Sequence, residues 1–191
     1  MTASFLFHDY ETFGADPARD GLAQFAAIRT DAELTPIGEP VSVFCQPVAD
    51  RLPSPDASLI TGLTPQDTLA GGLPEPDFAA LVHEQMAQPG TCTLGYNSIR
   101  FDDAFTRHLL WRNFHDPYAR EWQHGNSRFD LIDLARLCYA LRPAGIQWPL
   151  HDSGKPSFRL EHLARANGLD QARAHDALSD VERFLVAERS D

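Results

Sequence analysis

Two acidic residues lie two positions apart in the first hydrophobic segment of the chain. Asp9 and Glu11 follow the apolar residues 5–7, a run that predicts a buried β-strand. Side chains two residues apart in a strand project from the same face. Like charges side by side raise each other's pKa, and a bound divalent cation would relieve that repulsion. The alternative is a solvated pair at the exposed end of the strand.

A second acidic pair, Asp102 and Asp103, follows a predicted strand at residues 91–96. In open α/β sheets, ligands gather at the carboxyl ends of strands, so one of these aspartates is expected beside Asp9 and Glu11. Either could instead serve only as the N-cap of the helix that follows. Their spacing does not separate the two.

His175 and Asp180 stand at the start of a predicted helix over residues 174–189. A histidine at the loop–helix junction and an aspartate about one turn inside can reach one site, although His175 alone is more typical of a surface or capping residue. With the other carboxylates they fit two-metal hydrolysis of a phosphodiester. A histidine with a pKa near neutrality can take the proton of the attacking water.

The order of elements predicts how these residues are positioned. Early strands are followed by strand–helix alternation and then by helices, which indicates an α/β domain with a mixed central sheet flanked by α-helices. The predicted strands cover residues 4–10, 24–29, 41–45 and 91–96. Four predicted helices cover residues 78–87, 131–141, 160–166 and 174–189, and a fifth begins at residue 102 or 103. A short helical piece near residues 64–68 lies in the loop-rich stretch 46–76.

The net charge of −11 is unevenly distributed. Residues 1–99 carry −10, residues 100–165 carry +2 and residues 166–191 carry −3, so phosphates would be accepted in the middle third. Arginines interleave with aromatic residues there, as suits a single strand with stacked bases, although most would also fit an ordinary surface and core. These residues are Arg107, Arg112, Arg120, Arg128, Arg136, Arg142 and Arg159, with Trp111, Tyr118, Trp122 and Phe129.

The ordered motifs resemble the DEDDh superfamily of 3′→5′ exonucleases and, within it, the bacterial exonuclease I family. They are D-x-E-T at Asp9, N-x-x-x-F-D ending at Asp102 and H-x-x-x-x-D at His175, with the similar stretches FLFHDYETFG, ITGLTP, LGYNSIRFDD and SFRLEHL. The resemblance implies an RNase H-like fold and a 3′→5′ exonuclease acting on single-stranded DNA in repair or recombination. It also implies two Mg²⁺ ions, with Mn²⁺ as a substitute. It selects Asp102 over Asp103, assigns metal binding to Asp9, Glu11, Asp102 and Asp180, and makes His175 the general base.

The resemblance also implies contacts with the DNA strand. The residues it selects are Arg107, Tyr118, Trp122, Arg136 and Arg159, and Glu11 is expected to contact the substrate as well. Apart from the resemblance, Phe13, Leu63 and Tyr96 are candidates to wedge against the terminal base. Residues 1–191 are expected to form one monomeric nuclease domain, without the SH3-like and helical domains of the family. A site for a single-stranded-DNA-binding protein is expected on those other domains.

Two other functions, one enzymatic and one not, are compatible with the same motifs. An exoribonuclease of the same superfamily would share the carboxylate site, and a binding module could retain the fold without catalysis. The first residues have no basic leader, and no apolar stretch reaches the roughly 20 residues that span a bilayer. The three widely spaced cysteines argue against a disulfide framework, so a reduced cytoplasmic protein is expected.

Overall fold

The computed structural model describes residues 3–169, so His175 and Asp180 and the helix predicted around them lie outside the described residues. A mixed five-stranded sheet has the order β3-β2-β1-β4-β5. Its strands are β1 (Ser4–Thr12), β2 (Leu22–Thr30), β3 (Val41–Phe44), β4 (Thr91–Gly95) and β5 (Ser127–Asp130).

The central strand β1 is antiparallel to β2 and parallel to β4. The outer pairs continue each pattern, because β3 is antiparallel to β2 and β5 is parallel to β4. The carboxyl ends of the three parallel strands β1, β4 and β5 therefore meet at one edge of the sheet, where ligands bind in α/β sheets. The predicted mixed sheet flanked by helices is confirmed.

Six α-helices accompany the described sheet. They are α1 (Pro55–Thr61), α2 (Pro65–Gly71), α3 (Glu75–Met86), α4 (Asp102–Arg112), α5 (Leu131–Leu141) and α6 (Leu160–Ala166). Two short 3₁₀ turns, Ala119–Glu121 and Gln123–Gly125, connect α4 to β5. Within the described part of the chain, no helix is long and apolar enough to cross a membrane.

The alternation of side chains along β1 divides the core into two clusters. Leu6 and Tyr10 point to one face, where they pack with Phe78 of α3 and Phe105 of α4. Phe7 points to the other face and packs with a second set of apolar residues, Ala26, Ile28, Leu94 and Leu131. Asp9 and Glu11 share the parity of Phe7, so both acidic side chains belong to the second face.

Candidate active site

Strand β1 extends through Thr12, two residues further than the sequence predicts, and therefore includes both acidic residues of the first motif. Asp9 lies opposite Ala26 and Glu11 opposite Gln24 in the antiparallel pairing with β2. Asp9 is partly buried, and Glu11 is buried at 7% exposure. The pair is thus held by the regular geometry of the central strand rather than by a loop.

Asp102 is the first residue of α4 and is only 3% exposed. Burial raises the pKa of its carboxyl well above the ordinary value, and the negative charge of Asp9 raises it further. Asp9 and Asp102 are therefore close enough in space to repel each other when both are ionised. The structure thus brings Asp9 of β1 and Asp102 of α4 within electrostatic reach of each other, and these two carboxylates form the acidic cluster.

Asp103, the neighbouring residue, has a different environment. Its two carboxylate oxygens accept hydrogen bonds from Arg120 (2.6 Å) and Arg128 (2.5 Å). Burial opposes ionisation of Asp103, but the two guanidinium groups outweigh it, so the pKa of Asp103 is lowered. The structure thus distinguishes two aspartates that spacing alone left equivalent, since Asp103 pairs with two arginines, whereas Asp102 lies within electrostatic reach of Asp9.

Asp130 is a buried carboxylate that acts electrostatically on Asp102, and its role was not predicted from the sequence. It ends β5 and caps α5 by accepting the amide N–H of Ile132 at 3.1 Å. It also accepts the amide N–H groups of Asn97 (2.7 Å) and Ile99 (3.1 Å) in the loop after β4. Its negative charge contributes to the raised pKa of Asp102. In the sequence, an aspartate before an apolar helix indicates only an N-cap.

The end of β4 passes very close to β1 just before Asp9. A Cβ atom placed on Gly95 would lie 2.9 Å from the carbonyl oxygen of His8 and 2.8 Å from Cβ of Ser98. Only glycine allows the two backbones to approach this closely. Gly95 thereby sets the separation between β1 and the loop that leads to Asp102.

His8 lies next to Asp9 in sequence but on the opposite face of β1. Its ring is buried beside Tyr10 and Phe25, with ring centroids 5.9 Å and 6.4 Å away. Burial, followed by the positive charge of Arg120, lowers the pKa of His8 to about 4. His8 is therefore a neutral core residue at physiological pH.

The arginines predicted to contact DNA differ in how closely they pair with carboxylates of the protein itself. Arg107 forms two hydrogen bonds with Glu121, at 2.8 Å and 3.1 Å, and lies 5.3 Å from the ring centroid of Tyr118. Arg136 pairs with Asp133 at 2.7 Å. Arg159 is the most available of the three, because its side chain is 70% exposed and its carboxylate neighbour Glu161 is 3.8 Å away.

The aromatic and apolar residues predicted to contact bases also differ in how exposed they are. Tyr118 and Trp122 are exposed and could stack on bases. Tyr96 donates a hydrogen bond to the carbonyl of Phe158 at 2.7 Å, and Leu63 is half-buried. Phe13 is buried, so its ring is not presented to a terminal base in this structure.

Within residues 3–169, no group of three or more His, Cys, Asp or Glu side chains is arranged to hold a metal ion, so the structure does not gather Asp9, Glu11 and Asp102 into a preformed three-residue site. Three of the four predicted ligands fall in this range, and the fourth, Asp180, does not. The side chains that are described nevertheless suit a hard cation. Oxygen ligands are what Mg²⁺ prefers, and a cation would relieve the repulsion between Asp9 and the buried Asp102.

Comparison with known proteins supports this architecture. A family described as Exonuclease (RNase T) matches residues 6–186. The chain therefore belongs to this exonuclease family. Its sequence is 60% identical over 179 residues to the exodeoxyribonuclease I of Escherichia coli strain K12. The matched region covers 94% of this chain and 38% of that protein. The chain thus spans about two fifths of the length of this relative.

Solved structures with high similarity come from the same relative. Escherichia coli exonuclease I in complex with a dA16 oligonucleotide superposes with a TM-score of 0.94 at 58% identity, over 97% of this chain and 40% of that chain. A zinc-bound form of the Escherichia coli exonuclease I–single-stranded DNA complex gives a TM-score of 0.94 at 56% identity, over 98% and 40% of the two chains. The RNase H-like fold predicted from the motifs is confirmed.

Proposed function

We propose that this chain is the nuclease domain of a metal-dependent 3′→5′ exonuclease that hydrolyses single-stranded DNA to nucleoside 5′-monophosphates. The observation that carries the proposal is the convergence of Asp9 and Asp102 from different elements at the carboxyl edge of the sheet. A protein that only needed stability would not retain a buried carboxylate beside another negative charge, because its ionisation is unfavourable there.

Asp9, Glu11, Asp102 and Asp180 are the proposed ligands of two Mg²⁺ ions, for which Mn²⁺ is the expected substitute. When bound, such ions place positive charge at the attacking and leaving oxygens of an in-line displacement. Three of these ligands stand on regular elements, β1 and α4, so their positions are fixed before the substrate arrives. The role of His175 as the base is proposed from the motif alone.

The proposed reaction is hydrolysis of the terminal phosphodiester. His175 accepts a proton from water as the water oxygen forms a bond to phosphorus. The bond between phosphorus and the 3′-oxygen of the penultimate nucleotide breaks, and that oxygen takes up a proton. The products are one nucleoside 5′-monophosphate and a strand shortened by one nucleotide, which carries a new 3′-hydroxyl.

DNA is proposed as the substrate in preference to RNA. The support is the 60% identity to an exodeoxyribonuclease and the superposition on an oligonucleotide-bound exonuclease I. Arg159 and the exposed rings of Tyr118 and Trp122 are proposed to follow the strand, with charge on phosphates and rings on bases. Recognition of a single-stranded-DNA-binding protein stays a prediction for the additional domains of longer relatives.

The experiment is degradation of a 5′-labelled single-stranded DNA by the 191-residue chain in Mg²⁺. We expect a ladder of products that shorten one nucleotide at a time, with no products in EDTA and none from Asp102→Asn. Asp77→Asn, which removes an exposed carboxylate from the first turn of α3, serves as the matched control and should retain full activity. A matched RNA should be degraded much more slowly.

Two outcomes would contradict the proposal. Release of internal fragments instead of a regular ladder would indicate an endonuclease. A folded protein that binds the DNA in Mg²⁺ but leaves both DNA and RNA intact would indicate a binding module.

A further inference from the structure

Asp130 occupies a position where three segments of the site meet. It is the last residue of β5 and the N-cap of α5, and its side chain is 1% exposed. Its third attachment is the loop after β4, which leads directly into α4 and Asp102. A side chain that only capped α5 would need just its bond to the amide of Ile132.

The bonds from Asp130 to the loop are as short as the capping bond. Oδ1 accepts the N–H of Asn97 at 2.7 Å, and Oδ2 accepts the N–H of Ile99 at 3.1 Å. Asn97 has φ of 62°, in the left-handed region that asparagine enters more readily than most other non-glycine residues. The two hydrogen bonds to the Asp130 carboxylate hold the turn in this conformation.

This turn determines where α4 begins. The backbone N–H groups of Arg100 and Phe101 both donate to the carbonyl of Asn97, and Asp103 donates to the carbonyl of Ser98. Asp102 stands between these anchored residues at the first position of the helix. A shift of the turn would therefore move the Asp102 carboxylate relative to Asp9.

The negative charge of Asp130 also favours cation binding, in addition to the positioning of Asp102 by its hydrogen bonds. Among residues 3–169, no arginine, lysine or histidine forms an ion pair with Asp130, and its charge is instead held by backbone amides. The nearby carboxylate of Asp103 is neutralised by ion pairs with Arg120 and Arg128, whereas the carboxylate of Asp130 contributes a negative charge close to Asp102. A negative charge behind the ligands raises the affinity of a site for cations.

We propose that Asp130 is a positioning residue of the metal site, which orients Asp102 through the turn at residues 97–99 and strengthens cation binding. This inference rests on the proposed function, because it assumes that Asp9 and Asp102 hold divalent ions. Partners of this kind, which hold metal ligands without touching the metal, typically contribute 10–100-fold to affinity or activity.

Two variants separate capping from positioning. Asp130→Ser keeps a side-chain oxygen suited to cap α5 but is too short to reach the loop amides as well. Asp130→Asn keeps the size and one acceptor oxygen but loses the charge and the second acceptor. Asp77→Asn is the control for loss of a carboxylate from a helix terminus.

The primary measurement is Mn²⁺ binding to the 191-residue chain by isothermal titration calorimetry, with no DNA present. We expect both variants to bind Mn²⁺ at least 10-fold more weakly than wild type and to need correspondingly more Mg²⁺ for half-maximal cleavage. The KM for DNA at saturating Mg²⁺ should stay within about twofold, because the strand-contacting residues are unchanged. Asp77→Asn should match wild type in all three measurements.

Several results would overturn the inference while leaving the proposed function intact. Wild type that binds Mn²⁺ and degrades DNA, beside variants with unchanged Mn²⁺ affinity, would show that Asp130 does not act on the metal site. Loss of folded structure in both variants, judged by circular dichroism, would assign Asp130 to the fold alone. Wild type that neither binds Mn²⁺ nor degrades DNA would instead contradict the proposed function itself.

Discussion

Arg120 and Asp103 form an ion pair that is closed off from solvent, with Nη2 of the arginine 2.6 Å from Oδ1 of the aspartate. The arginine side chain is completely buried, which is rare for this residue type unless it is paired. The pair ties the 3₁₀ turn at Ala119–Glu121 to the first turn of α4. The position of Asp102 therefore depends on a buried charge pair one residue away.

The first prediction concerns the stability that depends on this pair. Arg120→Met leaves the buried Asp103 carboxylate with Arg128 as its ion-pair partner, and should lower the free energy of unfolding by about 1–3 kcal/mol, the usual cost of losing a hydrogen bond to a charged group. Urea denaturation followed by circular dichroism in EDTA measures this change. Arg159→Ala, at an exposed position, should change it by less than about 0.5 kcal/mol. A similar small change for Arg120→Met would show that the pair contributes little to stability.

A second prediction concerns acid sensitivity and His8. Its pKa is lowered from 6.5 to about 4, so between these pH values the unfolded chain binds a proton that the folded chain does not. The free energy of unfolding therefore falls as the pH is lowered through this window, by about 3 kcal/mol over its full width. His8→Leu should lose less stability than wild type between pH 7 and pH 5, measured by urea denaturation in EDTA.

The matched control for His8 is His108→Gln, at an exposed position on α4. This variant should show the same loss of stability as wild type over that pH range. Equal losses for wild type and His8→Leu would mean that the imidazole is protonated without cost in the folded protein.

Much of the fold could be predicted from the sequence because long apolar patterns dominate local structure. Helices α5 and α6 have the predicted bounds, Leu131–Leu141 and Leu160–Ala166, and the strand near residues 91–96 ends one residue earlier than expected. Helix α1 was missed because Pro55 follows a Pro-rich stretch that favours loops. Strand β5 was missed because SRFD has a single apolar residue, and only its pairing with β4 makes it a strand.

The candidate site shows a similar division. Asp9 and Glu11 were predictable because a period of two places them on one face of β1. The separation of Asp102 from Asp103 was not predictable from spacing, since it depends on Arg120 and Arg128, which are distant in sequence. The role of Asp130 depends on amides at 97 and 99, and no local pattern encodes contacts over such separations.

A third prediction connects the acidic cluster to stability. The pKa of Asp102 is raised in the folded metal-free protein. Between the ordinary carboxyl pKa and this raised pKa, the folded protein retains a proton that the unfolded chain has released. The free energy of unfolding therefore falls as the pH rises between these two pKa values. Asp102→Asn should therefore have a higher Tm than wild type at pH 7 in EDTA. Adding Mg²⁺ should raise the Tm of wild type and have a much smaller effect on the variant. A lower Tm for Asp102→Asn in EDTA would show that the carboxylate stabilises the metal-free fold.

A fourth prediction concerns the close approach at Gly95. Gly95→Ala would place a Cβ atom 2.9 Å from the carbonyl oxygen of His8, so the end of β4 must move away from β1. We expect destabilisation of about 1–3 kcal/mol and loss of most nuclease activity, measured on the labelled single strand. Gly71→Ala, where nothing lies within 4 Å of the added atom, is the control and should retain activity. Full activity of Gly95→Ala would show that the site tolerates a wider separation of the strands.

The last prediction concerns the path of the DNA strand. Arg159 is 70% exposed and weakly engaged, whereas Arg107 is held by two hydrogen bonds to Glu121, so Arg159 is the more available for a phosphate. In an Asp102→Asn background that prevents cleavage, Arg159→Ala should weaken single-stranded DNA binding and reduce the slope of log K against log salt by about 0.7. Fluorescence anisotropy of a labelled oligonucleotide across a salt series measures both quantities. Arg19→Ala, in the acidic first half of the chain, should leave the slope unchanged. An unchanged slope for Arg159→Ala would mean that the strand does not contact this arginine.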